Sequence, residues 1–412
     1  MATSITFFPV GNGDMTLICF GEKVGTTILI DCNIRAAADD PNDKTRDVAK
    51  DLRERLKRDS NGRPYVDVFV STHPDQDHCR GIRNHFHLGT PADYADDKKP
   101  DNEKRITIGE IWSSPMVFRR AGVEHKLCDD AKAFNKEAKR RVALAREKKC
   151  SGIDDGDRIL ILGEDEDGKT DDILAIVVKV DADITKVNGA ASKVFKARLL
   201  APMPKSAKDE EEEELRKNHS SVILNMELAD DAERKTVKNF LNGGDAEVLI
   251  WEKLWAKHKN APGVLSYDLL QAPHHCSWHS ISNDSRSDLG DKAKVSPDAK
   301  SALSQIRKEG RIVASSSSIK DDDCDPPCHA AKVEYESITK GASGKFLCTG
   351  SHPTEGGPAP MEFTLSDQKL QESVRQASVE APRPLTKSLI DDIARKSAEA
   401  EAVRKGGNSR YA

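Results

Sequence analysis

Short apolar runs separated by turn residues fill the first ninety positions of the chain and return after position 220. Residues 5–10 and 15–20 flank Gly11-Asn12-Gly13-Asp14, a pattern that predicts two strands joined by a tight turn. Residues 27–30 form a buried-type strand ending at Asp31, and residues 66–71 form another that delivers the chain to His73. Between them, Val48, Leu52 and Leu56 recur at helical spacing and predict a charged helix over 44–57. Residues 106–112 are strand-like, and 129–149 predict a long helix carrying Lys139-Arg140-Arg141, Arg146, Lys148 and Lys149. The segments 165–172 and 205–214 are charged and weakly apolar, as exposed loops or linkers are. Further strands are expected over 221–228, 248–250, 265–271, 311–315 and 345–348. Strands alternating with helices imply layered α/β packing. The pattern gives one domain over 1–366 with an elaboration at about 91–214, followed by a charged, helix-permissive tail over 367–412 broken by Pro382 and Pro384.

Composition narrows the class. At 412 residues, one large domain with insertions or two smaller domains are both allowed. Hydrophobic content of 37% and charged content of 32% suit a globular protein with some charged, poorly packed segments. A net charge of −5 argues against a surface coated in basic residues but leaves room for a local basic groove. No apolar run is long enough to span a membrane, and the first residues lack a basic-then-apolar leader pattern, so a cytoplasmic protein without a membrane segment is expected. The nine cysteines are scattered and odd in number, which favours free thiols in a reducing compartment.

The densest chemistry is His73-Pro74-Asp75-Gln76-Asp77-His78, directly after an apolar strand. Four side chains of metal-binding type on a loop can converge on one or two divalent ions, whereas a regular helix or strand would splay them. His73 and Asp75 can serve one ion while Asp77 and His78 serve the other. Imidazole mixed with carboxylate suits Zn²⁺ or Mn²⁺. Other candidates arrive separately. Asp31 ends a strand. Asp245 follows Gly243-Gly244, whose freedom lets the backbone bring a carboxylate into a crowded centre. His274-His275 follow a strand and Pro273. Taken singly these are a turn aspartate, a flexible turn and two histidines. Together, each sits at a strand end, where α/β folds assemble sites from distant segments. Cys324, Cys328 and His329 raise a structural zinc site, but only Cys348 lies nearby as a further ligand, so free thiols in a turn are the better reading. His279, just after these motifs, is read as polar surface or the rim of the site.

These residues carry a specific resemblance. The chain resembles the metallo-β-lactamase superfamily and, within it, the β-lactamase-like nuclease domain of ComEC-type DNA-uptake proteins. The shared features are Val10-Gly11-Asn12-Gly13-Asp14, the His73–His78 loop with Asp75 in place of the second histidine, Asn218-His219-Ser220-Ser221-Val222, Gly244-Asp245 and Ala272-Pro273-His274-His275. Ile312-Val313-Ala314-Ser315-Ser316 and His329 are similar to more distal parts of that pattern. Two features depart from it. Cys276 stands where the subgroup has glycine, and Asn218-His219 occupies the region of the superfamily's third-motif histidine.

The resemblance implies an α/β fold, the four-layer αβ/βα metallo-β-lactamase sandwich with insertions, over about residues 5–365. It implies a metal centre of one or two Zn²⁺ or Mn²⁺ ions on His73, Asp75, Asp77, His78, Asp245, His274 and His275, with His274 the preferred member of its pair. Asp31, Asn218 and Ser316 are expected to orient those groups. A bound ion lowers the pKa of water, so that hydroxide is available to attack phosphorus or a carbonyl. Asp245 would bridge the ions, Asp75 or Asp77 would accept a proton, and His329, Ser316 or Asn218 would steady the developing oxyanion.

The activity implied is a metal-dependent phosphodiesterase or nuclease acting on DNA. The basic stretch 136–149 gives modest support to a nucleic-acid substrate, and an aromatic content of 5% gives little for base stacking. Two alternatives stand beside it. One is a hydrolase of a small phosphodiester or nucleotide signal. The other is a weakly catalytic effector module that recruits a protein partner.

Overall fold

The structure is a computed structural model. It describes residues 2–373 apart from 22–24, 41, 122–125, 325 and 367–368. The described residues all fall in one compact unit. The expected tail from residue 374 onward lies outside the described residues.

Two large sheets organise this unit. In order, the first runs Lys369–Ser373, Met361–Ser366, Ser4–Phe7, Thr16–Cys19, Thr27–Ile30, Pro64–Val70, Thr107–Ser113, Arg158–Leu162 and Val177–Val178. It is antiparallel up to Thr27–Ile30 and parallel beyond it. The second runs Lys345–Cys348, Ile306–Ala314, Tyr267–Gln271, Val237–Asn242, Ile223–Ala229, Phe195–Ala201 and Asp183–Ile184. Its first four strands are parallel and the rest antiparallel.

Side chains alternate across each strand, so successive residues of one strand serve two different cores. Ile28, Ile30, Val68 and Val70 of the first sheet join Phe240, Leu269 and Val313 of the second in one buried cluster between the sheets. Their neighbours Leu29 and Phe69 face outward, against Val48, Leu52, Phe134 and Ala138 of the helices Val48–Arg53 and Asp129–Glu147. On the other side, Leu241, Leu270 and Ile312 face Trp251, Leu254, Ala302 and Tyr335 of the helices Val248–His258, Pro297–Leu303 and His329–Gly341. Strands apolar on both faces are what helix-covered parallel sheets require.

Three expectations change. Residues 248–250 are not a strand but the first turn of the helix Val248–His258. Val248, Trp251 and Leu254 share its buried face. The region 91–214, read as elaboration, contributes strands to both sheets: Thr107–Ser113 and Arg158–Leu162 extend the first, and Phe195–Ala201 lies within the second. Met361–Ser366 pairs with both Ser4–Phe7 and Lys369–Ser373, so the sheet extends past residue 366 into the segment read as tail.

Polar links also join the sheets near the parallel strand ends. Thr16 Oγ1 donates to Gln271 Oε1 at 3.0 Å, and Asn242 Nδ2 donates to the same oxygen at 3.0 Å. The Val222 amide donates to the Thr72 carbonyl at 2.9 Å. Deeper in, Phe7 meets Phe240 and Phe363 edge-on, with ring centroids 5.7 and 6.0 Å away. Phe240→Ala is expected to lower unfolding stability by about 3–5 kcal/mol in urea titrations, from lost burial and the cavity left between the sheets. A loss below about 1 kcal/mol would contradict this packing.

Candidate metal centre

The parallel strands of both sheets deliver the candidate residues from their C-terminal ends. Asp31 follows Thr27–Ile30, and His73 follows Pro64–Val70. Asp245 follows Val237–Asn242, His275 follows Tyr267–Gln271, and Ser315 follows Ile306–Ala314. Asp14 enters from the N-terminal side of Thr16–Cys19, whose Thr16 lies opposite Ile30 in antiparallel register. Gly13 makes this approach possible. A Cβ there would stand 2.0 Å from Asn33 Nδ2 and 2.7 Å from the Asp77 carbonyl. The Asp14 amide donates to that carbonyl at 3.1 Å.

The centre is one buried carboxylate faced by four imidazoles. Asp245 Oδ1 is 3.1 Å from His78 Nε2. Its Oδ2 is 3.4 Å from His73 Nε2, 3.5 Å from His275 Nε2 and 3.8 Å from His274 Nε2. Asp77 Oδ2 lies 3.2 Å from His275 Nε2, and Asp14 Oδ1 lies 3.4 Å from His275 Nδ1. Asp14, His78, Asp245 and His275 are all buried, and each offers a ligand atom within 4.8 Å of the others.

Local backbone geometry aims these groups. Gly244 adopts φ +48° immediately before Asp245, whose amide donates to Ser221 Oγ at 3.2 Å. Asp31 has φ 56°, and His274, His275 and Cys276 follow one another at 49°, 52° and 68°. Left-handed conformations cost non-glycine residues about 1 kcal/mol or more each, so this turn is strained backbone held by its surroundings. Cys276, where the resembled subgroup has glycine, is one of the strained positions. Asp31 Oδ2 holds His78 Nδ1 at 2.8 Å and accepts from Thr72 Oγ1 at 2.5 Å, while its Oδ1 accepts from the Thr72 amide at 2.8 Å. The Ser315 carbonyl lies 3.1 Å from His275 Nδ1. Both histidines therefore direct Nε2 toward the cluster, with Nδ1 held from behind.

Placement differs from expectation at several residues. His275 is 1% exposed and belongs to the buried quartet, whereas His274, the preferred member, is only partly buried, with its Nε2 3.8 Å from Asp245 Oδ2. His274 faces Glu247 Oε1 at 3.7 Å and Asn218 Nδ2 at 3.5 Å. Asp75 is exposed and precedes the single helical turn Gln76–Cys79 without a side-chain capping bond, and that turn carries Asp77 and His78 inward instead. Ser316 bonds its own loop, through Thr349 Oγ1 and the Ser317 carbonyl. Its neighbour Ser315 is the residue that touches the site. His329 opens the helix His329–Gly341 and faces Asp321 at 3.4 Å rather than the histidine cluster. Asn218 stands at the rim, donating to Glu247 Oε1 at 3.0 Å.

Sequence reasoning quoted Asp14, His219 and Ser315 within motifs without assigning them a role at the site, and did not name Thr72 or Glu247. Glu247 gathers His219 Nε2 at 3.3 Å beside Asn218 and His274. The Gly11-Asn12-Gly13-Asp14 motif was the available sign of Asp14.

The site fits a divalent cation on the chemistry of its own atoms. Asp14 Oδ1, His73 Nε2, His274 Nδ1 and Asp245 Oδ1 are buried without a hydrogen bond of acceptable geometry. Buried polar atoms rarely stay unpaired without a reason. Burial alone would lower the pKa values of His78 and His275, but Asp245 and its neighbours outweigh it and raise both well above 6.5. Burial likewise favours a neutral Asp245, yet the surrounding histidines hold it well below the ordinary carboxylate range. Protonation of these imidazoles and binding of a cation are therefore competing ways to neutralise the buried carboxylates.

No protein-family model matches this chain, nor does any curated protein or solved structure.

A pH dependence follows. Raised histidine pKa values contribute stability that is full below about 6.5 and lost as pH rises through the folded-state values. The melting temperature of chelator-treated protein is expected to fall as pH rises above about 6.5, while the increment given by Zn²⁺ grows over the same range. A chelated melting temperature independent of pH between about 6 and 9, with a constant Zn²⁺ increment, would contradict the proton-for-cation exchange.

Proposed function

We propose that this chain is a metal-dependent phosphodiester hydrolase built on the metallo-β-lactamase sandwich. The observation that carries the reading is the buried quartet Asp14, His78, Asp245 and His275, with ligand atoms within 4.8 Å of one another and with His73 and Asp77 alongside. The two-sheet architecture with helices on both outer faces, and the motif order from Asp14 to His275, support the same reading.

A divalent ion such as Zn²⁺ or Mn²⁺ held by these residues would supply Lewis acidity and acidify water. The chain's own groups do the rest. Asp31 and the Ser315 carbonyl fix the two buried imidazoles, so that their Nε2 atoms are presented without reorganisation. Asp77, with a side chain 32% exposed, is the carboxylate of the cluster that reaches solvent, and against the opposing effect of burial its pairing with His275 keeps it ionised. Asn218, His219 and His274, gathered on Glu247, lie beside the cluster and can donate to an anionic substrate.

DNA is the substrate class we propose, from the resemblance of the motifs. One observation favours the small-phosphodiester alternative. The basic helix is largely neutralised within the protein. Arg140 pairs with Glu137 and Asp157, Arg141 with Glu137, Arg146 with Asp172 and Lys148 with Asp154. A charge already paired adds little to phosphate binding.

Purified protein supplied with Mn²⁺ or Zn²⁺ is expected to cleave labelled single-stranded DNA and a chromogenic phosphodiester. Asp245→Asn is expected to lower both rates by at least about a hundredfold, in line with losing a group that acts on the transition state. Cleavage of the small ester alone would select the second reading. Metal-loaded protein inert toward every phosphodiester would overturn the proposal.

A further inference from the structure

Directly after the metal-site turn lies a pair of thiols that the hydrolase reading does not use. Cys79 follows His78 and is 3% exposed, with its Sγ 3.2 Å from the Asp75 carbonyl. Its other neighbour is Cys128, Sγ to Sγ 3.6 Å. Cys128 caps the helix Asp129–Glu147, its sulfur accepting from the Ala131 amide at 3.4 Å, and it is half-buried. The two cysteines are 49 positions apart in sequence, and they join the turn bearing Asp77 and His78 to the start of a 19-residue helix.

We propose that Cys79 and Cys128 form a peroxide-oxidisable dithiol whose disulfide clamps the metal-binding turn to that helix. The roles divide by environment. Cys128 is the more accessible, and its sulfur is surrounded by donors. The Cys79 thiol, against the opposing effect of burial and together with backbone amides at the helix start, lowers its pKa to about 6. A thiolate at a helix N-terminus is the reactive form. Cys79, 3% exposed and with its sulfur 3.6 Å from that of Cys128, is the sheltered partner within reach of the oxidised sulfur.

The chemistry closes. The Cys128 thiolate attacks one oxygen of a hydroperoxide, the O–O bond breaks, and the other oxygen leaves as hydroxide or alkoxide, giving a sulfenic acid. Cys79 sulfur then attacks Cys128 sulfur. The S–O bond breaks, the S–S bond forms, and the Cys79 proton leaves with the oxygen as water. Two thiols lose two electrons in total, and the peroxide accepts them.

Bonding the sulfurs draws them closer than 3.6 Å and removes the Cys79 S–H from the Asp75 carbonyl. The displaced segment carries Asp77 and His78, and metal centres tolerate misplacement of ligands poorly. The dithiol stands on the thiol geometry alone; its effect on metal rests on the hydrolase reading.

The experiment treats full-length protein with hydrogen peroxide, maps its peptides by mass spectrometry, and measures Zn²⁺ affinity by chelator competition before and after. The expected result is a Cys79–Cys128 linked peptide and about tenfold weaker Zn²⁺ binding, both reversed by dithiothreitol. Cys128→Ser, which keeps a good helix cap, should give neither change. Oxidation of exposed Cys324 with Cys79 and Cys128 left unlinked would overturn the dithiol. A linked peptide with unchanged Zn²⁺ affinity would overturn the clamp. Reduced protein that binds no Zn²⁺ would contradict the metal reading, while the linked peptide would still decide the dithiol.

Discussion

The rest of the structure depends on Asp245, a carboxylate 3% exposed and faced by four histidines. An unpaired charge buried to that degree costs several kcal/mol, even after relaxation, at about the level that would unfold a marginal domain. The compensation comes from both sheets. Asp245, His274 and His275 leave strands of the second, whereas His73, Asp77 and His78 leave a strand of the first. The sheets cannot slide without separating the aspartate from its imidazoles. Sheet register and site geometry are therefore a single constraint.

That constraint explains features that otherwise look costly. The run of left-handed residues His274, His275 and Cys276, and the left-handed Asp31, are strained conformations adjoining the cluster. These turns leave Asp31 against His78 and His275 against Asp245, where a continuing strand would carry both away. The Thr16, Asn242 and Gln271 network lies at the same strand ends and gives the junction a polar register lock, where apolar packing alone would tolerate slippage. The apolar core between the sheets supplies the area, and the polar junction supplies the alignment.

What was legible in the sequence follows from how local each signal is. The loop from His73 to His78 concentrates metal-binding side chains in six positions, and Asp245 and His275 arrive beside glycine and proline turns. Such chemistry is readable one segment at a time. Asp14 was not read as a ligand because an aspartate after Gly-Asn-Gly looks like turn chemistry, and its role depends on Thr16 lying opposite Ile30. Ser315 contributes through a backbone carbonyl, which no side-chain pattern encodes. Periodicity does not specify positive φ, so it could not order His274 and His275; His275 belongs to the buried quartet, and His274 lies between Asp245 and Glu247. Residues 248–250 read as a strand because three branched apolar residues fit either element. Trp251 and Leu254, which complete the helical face, decide it. Strands between 91 and 214 were underweighted because charged loops separate them, although Ile111, Trp112, Phe195 and Leu199 are fully buried.

The central claim is that the histidine–aspartate cluster is a cation site. It is tested most directly by anomalous diffraction at the zinc edge from crystals of the full chain grown with equimolar Zn²⁺. The expected result is a peak within ligand distance of His78 Nε2, Asp245 and His275 Nε2. A map without density there, or with its strongest peak at the exposed loop around Asp321 and Cys324, would contradict the account.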